Sequence, residues 1–155
     1  MIETPQIVST EARHYAGLHL TVPREEIRKV MGPGLQQVYA ALAALGVASA
    51  GPWFTHHFKR PDEFFDFEIC VPVEEPIASS GEVEPGLWPA MRVARTVYRG
   101  SYEGLPAAWG EFEAWIAANG LRGAVDLWEQ YLSGPETSRD PNRWRTELNR
   151  PLIES

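Results

Sequence analysis

Of the residues able to do chemistry, Glu129 stands in the least ordinary setting. It sits at the centre of Leu127-Trp128-Glu129-Gln130-Tyr131-Leu132, an apolar run bounded by Asp126 and by Ser133-Gly134-Pro135. The run reads as a buried strand, in which successive side chains alternate faces. Glu129 and Tyr131 then share one face, and Trp128, Gln130 and Leu132 share the other. A buried carboxylate is costly unless something cationic or hydrogen-bonding meets it. Two readings stay open from this strand alone. One is a pocket for a cationic or polarised organic molecule, held by charge and aromatic faces. The other is a structural pair with one of the twelve arginines. As an acid or base, Glu129 would need a water or substrate proton within hydrogen-bond reach, with Tyr131 to orient a ligand or pass a proton. Tyr131 reads equally as a packed tyrosine whose hydroxyl reaches solvent.

The remaining chemistry-bearing residues exclude more than they offer. His56 and His57 are adjacent and therefore face opposite sides of a strand, so no chelating pair and no metal site is expected. His14 and His19 read as ordinary strand histidines. Cys70 is the only cysteine; it can form neither an internal disulfide nor a cysteine-based zinc site, and Glu-Ile-Cys-Val-Pro suits an inert core thiol. No Ser–His–Asp order, phosphate loop or dinucleotide fingerprint is present, so no cofactor is expected.

The elements that must position these residues come in duplicate. Gly51 to His57 is an aromatic strand following a helical stretch that ends at Gly46, and it matches Val125 to Tyr131, which follows a helical stretch ending at Gly120. Phe67 to Val73 then matches Thr146 to Leu152. The unit is a strand–helix–strand–strand module, too long for a stacking solenoid repeat. In that register Thr55 and His57 take the places of Glu129 and Tyr131, while Phe65 and Phe67 take those of Trp144 and Thr146. Glu68 and Glu147 occupy matched positions turned away from these residues and read as structural, paired with arginines.

Local signals fill in the rest. Residues 5–21 read as a strand bent near Gly17. Pro23-Arg24-Glu25-Glu26 opens a helix, Gly32-Pro33-Gly34 is expected to interrupt it, and Leu35, Val38, Leu42 and Leu45 keep helical spacing up to Gly46. Residues 52–58 and 63–73 read as strands. Residues 74–87, rich in glutamate, proline and glycine, read as a solvated connection. A strand over 88–99 follows, and then a helix over 103–119 with Leu105, Trp109, Phe112 and Ile116 on one stripe.

At 155 residues the chain suits one domain whose halves share a sheet. The boundaries expected are about 1–75 for the first repeat, 76–87 for the connection and 88–155 for the second. A net charge of −7 with only two lysines argues against binding to a phosphate backbone and suits a cationic or neutral partner. Six tryptophans, six phenylalanines and five tyrosines leave aromatic surface to line a cavity. The N-terminus lacks the features of a signal peptide and no apolar run has membrane-spanning length, so a cytoplasmic protein without membrane contact is expected.

Several of these stretches resemble the GyrI-like domain. Tyr98-Arg99-Gly100-Ser101-Tyr102-Glu103-Gly104-Leu105 is similar to its (H/Y)xGxYxxL hallmark, and Trp128 to Tyr131 and Thr146 to Leu152 are similar to its two closing strands. The resemblance spans essentially the whole chain and is clearest from Trp88 onward. It implies an α+β fold of two strand–helix–strand–strand repeats related by pseudo-twofold symmetry. Their antiparallel sheet would hold lipophilic, often cationic compounds in a groove.

The resemblance implies that Glu129 matches the glutamate at the family's pocket floor, that Trp144 or a near neighbour fills the place of a last-strand aromatic that closes over ligands, and that Tyr98 and Tyr102 fall where groove-lining aromatics stand. Thr55, His57, Phe65 and Phe67 would then face Glu129, Tyr131, Trp144 and Thr146, with the charge on one wall and His57 the titratable group on the other. Met91 stands where glycine is common, and Tyr98 where histidine is more frequent, so ligand identity does not transfer.

The domain serves in MerR-type and AraC-type multidrug regulators as the effector-binding module. This chain has no room for a helix-turn-helix and is not expected to contact nucleic acid directly. Stand-alone members imply three classes: small-molecule binders, hydrolases opening strained electrophilic rings (with Glu129 and Tyr131 catalytic), and gyrase-modulating interaction proteins whose partner the sequence does not identify.

Overall fold

A computed structural model of the protein describes residues 2–135 and 137–153. The chain divides into two compact units, residues 11–90 and residues 1–10 with 91–155. Among the described residues, each is an α+β unit with four antiparallel strands and one long helix.

The unit of residues 11–90 contains β2 (Arg13–Pro23), α1 (Ile27–Leu45), β3 (Phe54–His57), β4 (Phe64–Val73) and β5 (Glu84–Trp88). Its strand order is β3-β4-β2-β5. Alternation along β2 and β4 turns Ala16 and Leu18 and then Phe67, Ile69, Val71 and Val73 toward α1, which meets them with Val38, Ala41 and Leu42. The other unit contains β1 (Gln6–Thr10), β6 (Met91–Arg99), α2 (Leu105–Ala118), β7 (Leu127–Ser133) and β8 (Arg145–Pro151). Its order is β1-β6-β8-β7. Ala94, Leu127 and Leu148 pack there against Ala108, Trp109, Phe112 and Ile116 of α2. Fully burying one such large apolar side chain contributes about 1.5–3 kcal/mol.

The duplication is therefore real at the level of pairing. Thr55 and His57 on β3 lie opposite Ile69 and Phe67 on β4. Glu129 and Tyr131 on β7 lie opposite Leu148 and Thr146 on β8 in the same order. The compact units nevertheless cut the chain differently from the sequence repeat. β1 precedes β2 in the chain but pairs with β6, and β5 precedes β6 but pairs with β2.

Three local expectations need correction. Gly32-Pro33-Gly34 does not interrupt a helix, because α1 runs through Pro33 to Leu45. Gly34 serves close approach instead: a Cβ there would stand 2.7 Å from Ile69 Cδ1. Residues 74–87 are not simply solvated. Ile77 and Val83 are buried in the α1 core, and β5 begins at Glu84. The early strand divides into β1 and β2 at Glu11 and Ala12 without a break at Gly17, whose missing Cβ leaves space occupied by the Glu68 carboxylate. The helix stop at Gly46 is as expected, with a φ of +70° that glycine adopts without steric cost.

Candidate functional site

The side chains that matter lie on the α2-facing side of the second unit's sheet. Register across β6, β8 and β7 puts Thr96, Leu148 and Glu129 in one row, and Tyr98, Thr146 and Tyr131 in the next. Glu129 is only 8% exposed. Its carboxylate accepts two hydrogen bonds of 2.7 Å, one from the Tyr131 hydroxyl to Oε1 and one from the Trp109 indole N–H to Oε2. Both donors are neutral groups, and together they orient the carboxylate. Hydrogen bonds to an ionised acceptor are shorter and stronger than neutral ones.

Rings surround this pair. Tyr102, in the short turn before α2, stands edge-on to Tyr131 at 5.9 Å and lies 5.0 Å from Trp144. Trp144 precedes β8 and is not part of it, and its indole N–H donates to the Ser138 carbonyl at 2.9 Å. Tyr98 is buried, and its hydroxyl donates to the Ser101 carbonyl at 2.8 Å. It fills the space that side chains at Gly100 and Gly104 would need, which explains both glycines of the turn into α2. Thr146 lies between Tyr98 and Tyr131 with no exposed surface, and its hydroxyl has no hydrogen-bond partner among the described residues.

The four matching residues of the first unit form a cluster of their own on the α1-facing side. The Thr55 hydroxyl and His57 Nε2 are hydrogen-bonded at 3.0 Å, an (i, i+2) pair like that of Glu129 and Tyr131. The His57 ring stacks on Phe67 at 5.4 Å and stands 6.0 Å from Phe65. The Arg24 guanidinium lies 5.7 Å from the centre of the Phe65 ring.

Strand alternation puts Glu147 and Glu68 on the face of their own strands opposite Thr146 and Phe67. Glu147 pairs with Arg95 at 3.2 Å. Glu68 departs from the arginine pairing expected of it: the Tyr15 hydroxyl donates to it at 2.8 Å, and the Cys70 thiol lies 3.6 Å from the same oxygen. Burial, the neighbouring Cys70 and the Glu68 charge together push the Tyr15 phenol well above its ordinary range. Burial and Glu68 likewise raise the Cys70 thiol, in keeping with an inert core cysteine. His56 faces away from α1, packed edge-on to Trp88 at 4.5 Å and Phe58 at 4.8 Å. His19 binds Asp66 at 2.6 Å. No group of three metal-ligating side chains occurs among the described residues, and no described helix is long and apolar enough to cross a membrane.

Sequence reasoning missed one residue here. Trp109 belongs to the apolar stripe of α2 and reads as packing, yet it holds one oxygen of Glu129. A buried tryptophan N–H must find an acceptor, and a buried carboxylate in the same half was the signal available.

Aromatic rings beside a buried, oriented carboxylate suit the capture of small organic molecules. The chain belongs to the GyrI-like family: the model of the GyrI-like small molecule binding domain matches residues 3–152. Solved structures agree on the fold. EcmrR in its DNA complex is 22% identical with a TM-score of 0.86 over 99% of this chain, which spans 58% of that one. The isolated EcmrR C-terminal domain is 21% identical with a TM-score of 0.85, covering 98% of both chains.

SAV2435 bound to tetraphenylphosphonium is 13% identical with a TM-score of 0.68, over 97% of this chain and 94% of that one. A hydrolase from Listeria innocua is 13% identical with a TM-score of 0.66, over 96% and 91%. At these identities the likeness shows a shared fold. No curated protein matches significantly by sequence.

Proposed function

We propose that this small-molecule-binding domain takes lipophilic aromatic cations, and that Glu129 supplies the attraction. The observation that carries this reading is the Glu129 carboxylate, held by Tyr131 and Trp109 at 2.7 Å each and 8% exposed. A desolvated carboxylate attracts a cation far more strongly than one in water, because less solvent screens the pair. Tyr102, Tyr131 and Trp144 offer ring faces, which favour a cation by about 0.5–2 kcal/mol. The net charge of −7 works in the same direction and against a nucleic-acid partner. SAV2435 holds such a cation on the same fold. Tyr98 and Thr146 complete the proposed ligand contacts in this unit, and Thr55, His57, Phe65 and Phe67 are the candidate contacts in the other. Isothermal titration with an aromatic cation and its neutral isostere tests the proposal: the cation should bind at least tenfold more tightly, and equal affinity would refute it.

A second reading, hydrolytic opening of strained electrophilic rings, rests on the same Tyr131–Glu129 pair. A hydroxyl bonded to a buried carboxylate at 2.7 Å is a geometry suited to proton transfer. Incubation with cyclopropane-containing alkylators, followed by mass spectrometry, should show ring-opened product that is lost in Tyr131→Phe. No product across the panel would leave binding as the function.

A further inference from the structure

We infer that the ligand is a protonated amine whose N–H groups bridge Glu129 and Thr146, in preference to a permanently quaternary cation. The inference rests on the reading of Glu129 as the attracting charge and narrows its ligand class. Thr146 is the observation behind it. Its hydroxyl has no exposed surface and no partner among the described residues, on the same sheet face as Glu129. A buried hydroxyl left unsatisfied is expensive, while valine fits the same strand position without that cost. A threonine at this position points to a partner that arrives with the ligand.

The register sets the distance. Thr146 lies opposite Tyr131, and Glu129 is two residues back on the same strand and face. Diagonal neighbours of this kind are about 7–8 Å apart at the backbone, within reach of long side chains. Two N–H···O bonds of about 2.9 Å from one tetrahedral nitrogen span oxygens about 4.5–5 Å apart. A primary ammonium has three N–H donors and can satisfy both groups. A quaternary nitrogen has none and leaves the hydroxyl unmet. Tyr102 and Trp144, which border this row of side chains, are each only half-buried.

The test uses 1-naphthylmethylammonium and its N,N,N-trimethyl analogue, titrated by calorimetry into the full chain and into Thr146→Val and Thr146→Ser. Hydration differs between the two cations, so the quantity read is the ratio of their dissociation constants in each protein. Thr146→Val should shift that ratio at least fivefold toward the quaternary cation, and Thr146→Ser should preserve it. The melting temperature of ligand-free Thr146→Val should hold or rise, as expected when an unmet hydroxyl is removed. A ratio unchanged within twofold overturns the inference, and a lowered melting temperature alongside it would assign the hydroxyl to the fold. If neither cation binds the parent chain, the functional reading fails and this inference with it.

Discussion

The bond between Trp109 and Glu129 should carry measurable stability, and a double-mutant cycle isolates it. Glu129→Gln keeps the shape and can keep both contacts. The amide oxygen can accept from the Trp109 indole, which only donates, while the amide N–H₂ faces Tyr131, whose hydroxyl can turn to accept. Charge is then the main thing lost. Trp109→Phe removes the 2.7 Å bond to Oε2 together with part of the ring packed on Phe112 at 5.6 Å. In the parent chain the lost bond is to an ionised acceptor, about 1.5–3 kcal/mol; in the Glu129→Gln background it is to a neutral one, about 0.5–1.5 kcal/mol. The packing loss is common to both and cancels. A coupling of about 1–1.5 kcal/mol is therefore expected. Urea unfolding of the four proteins, followed by far-ultraviolet circular dichroism, measures it. A coupling below about 0.5 kcal/mol, the usual error of such additivity, would mean that the indole does not support the charge.

The Tyr15 cluster makes two further predictions. The folded phenol is raised above the ordinary value of about 10, so the folded state holds its proton more tightly than the unfolded chain. Stability from this group is intact below about pH 10 and falls as pH rises beyond it. Tyr15→Phe should flatten that alkaline loss, read from urea midpoints at rising pH, and an unchanged slope would refute the assignment. Gly86→Ala would put a Cβ 2.2 Å from Tyr15 Cζ. The overpacking should cost about 1–3 kcal/mol in urea unfolding, while a neutral effect would mean that the ring moves aside freely.

Much of this was legible in the sequence, for identifiable reasons. Strand alternation alone placed Glu129 with Tyr131, and Thr55 with His57, because a period of two admits no other arrangement within a strand. The repeat then fixed which residues correspond, and the observed registers agree. What the sequence hid is non-local. Nothing near β1 says that it pairs with β6, some eighty positions away, and the acidic, proline-rich segment before Trp88 masks the buried Ile77 and Val83. Pro33 misled because a proline is a local signal, whereas the fit of α1 against Ile69 through Gly34 is a tertiary one. Trp109 was hidden in the same way: helical periodicity assigns a face and is silent on which polar atom an indole meets.

The central claim is that Glu129 binds cations by its charge. It is tested most directly by titrating an aromatic cation and its neutral isostere into the parent chain and into Glu129→Gln. Unpairing a buried charge typically costs about 2–5 kcal/mol, and the amide variant retains the ring contacts and its hydrogen bonds. Glu129→Gln should therefore weaken the cation about thirtyfold or more, equivalent to about 2 kcal/mol, and leave the neutral compound within about twofold. Cation affinity unchanged in Glu129→Gln would contradict the account.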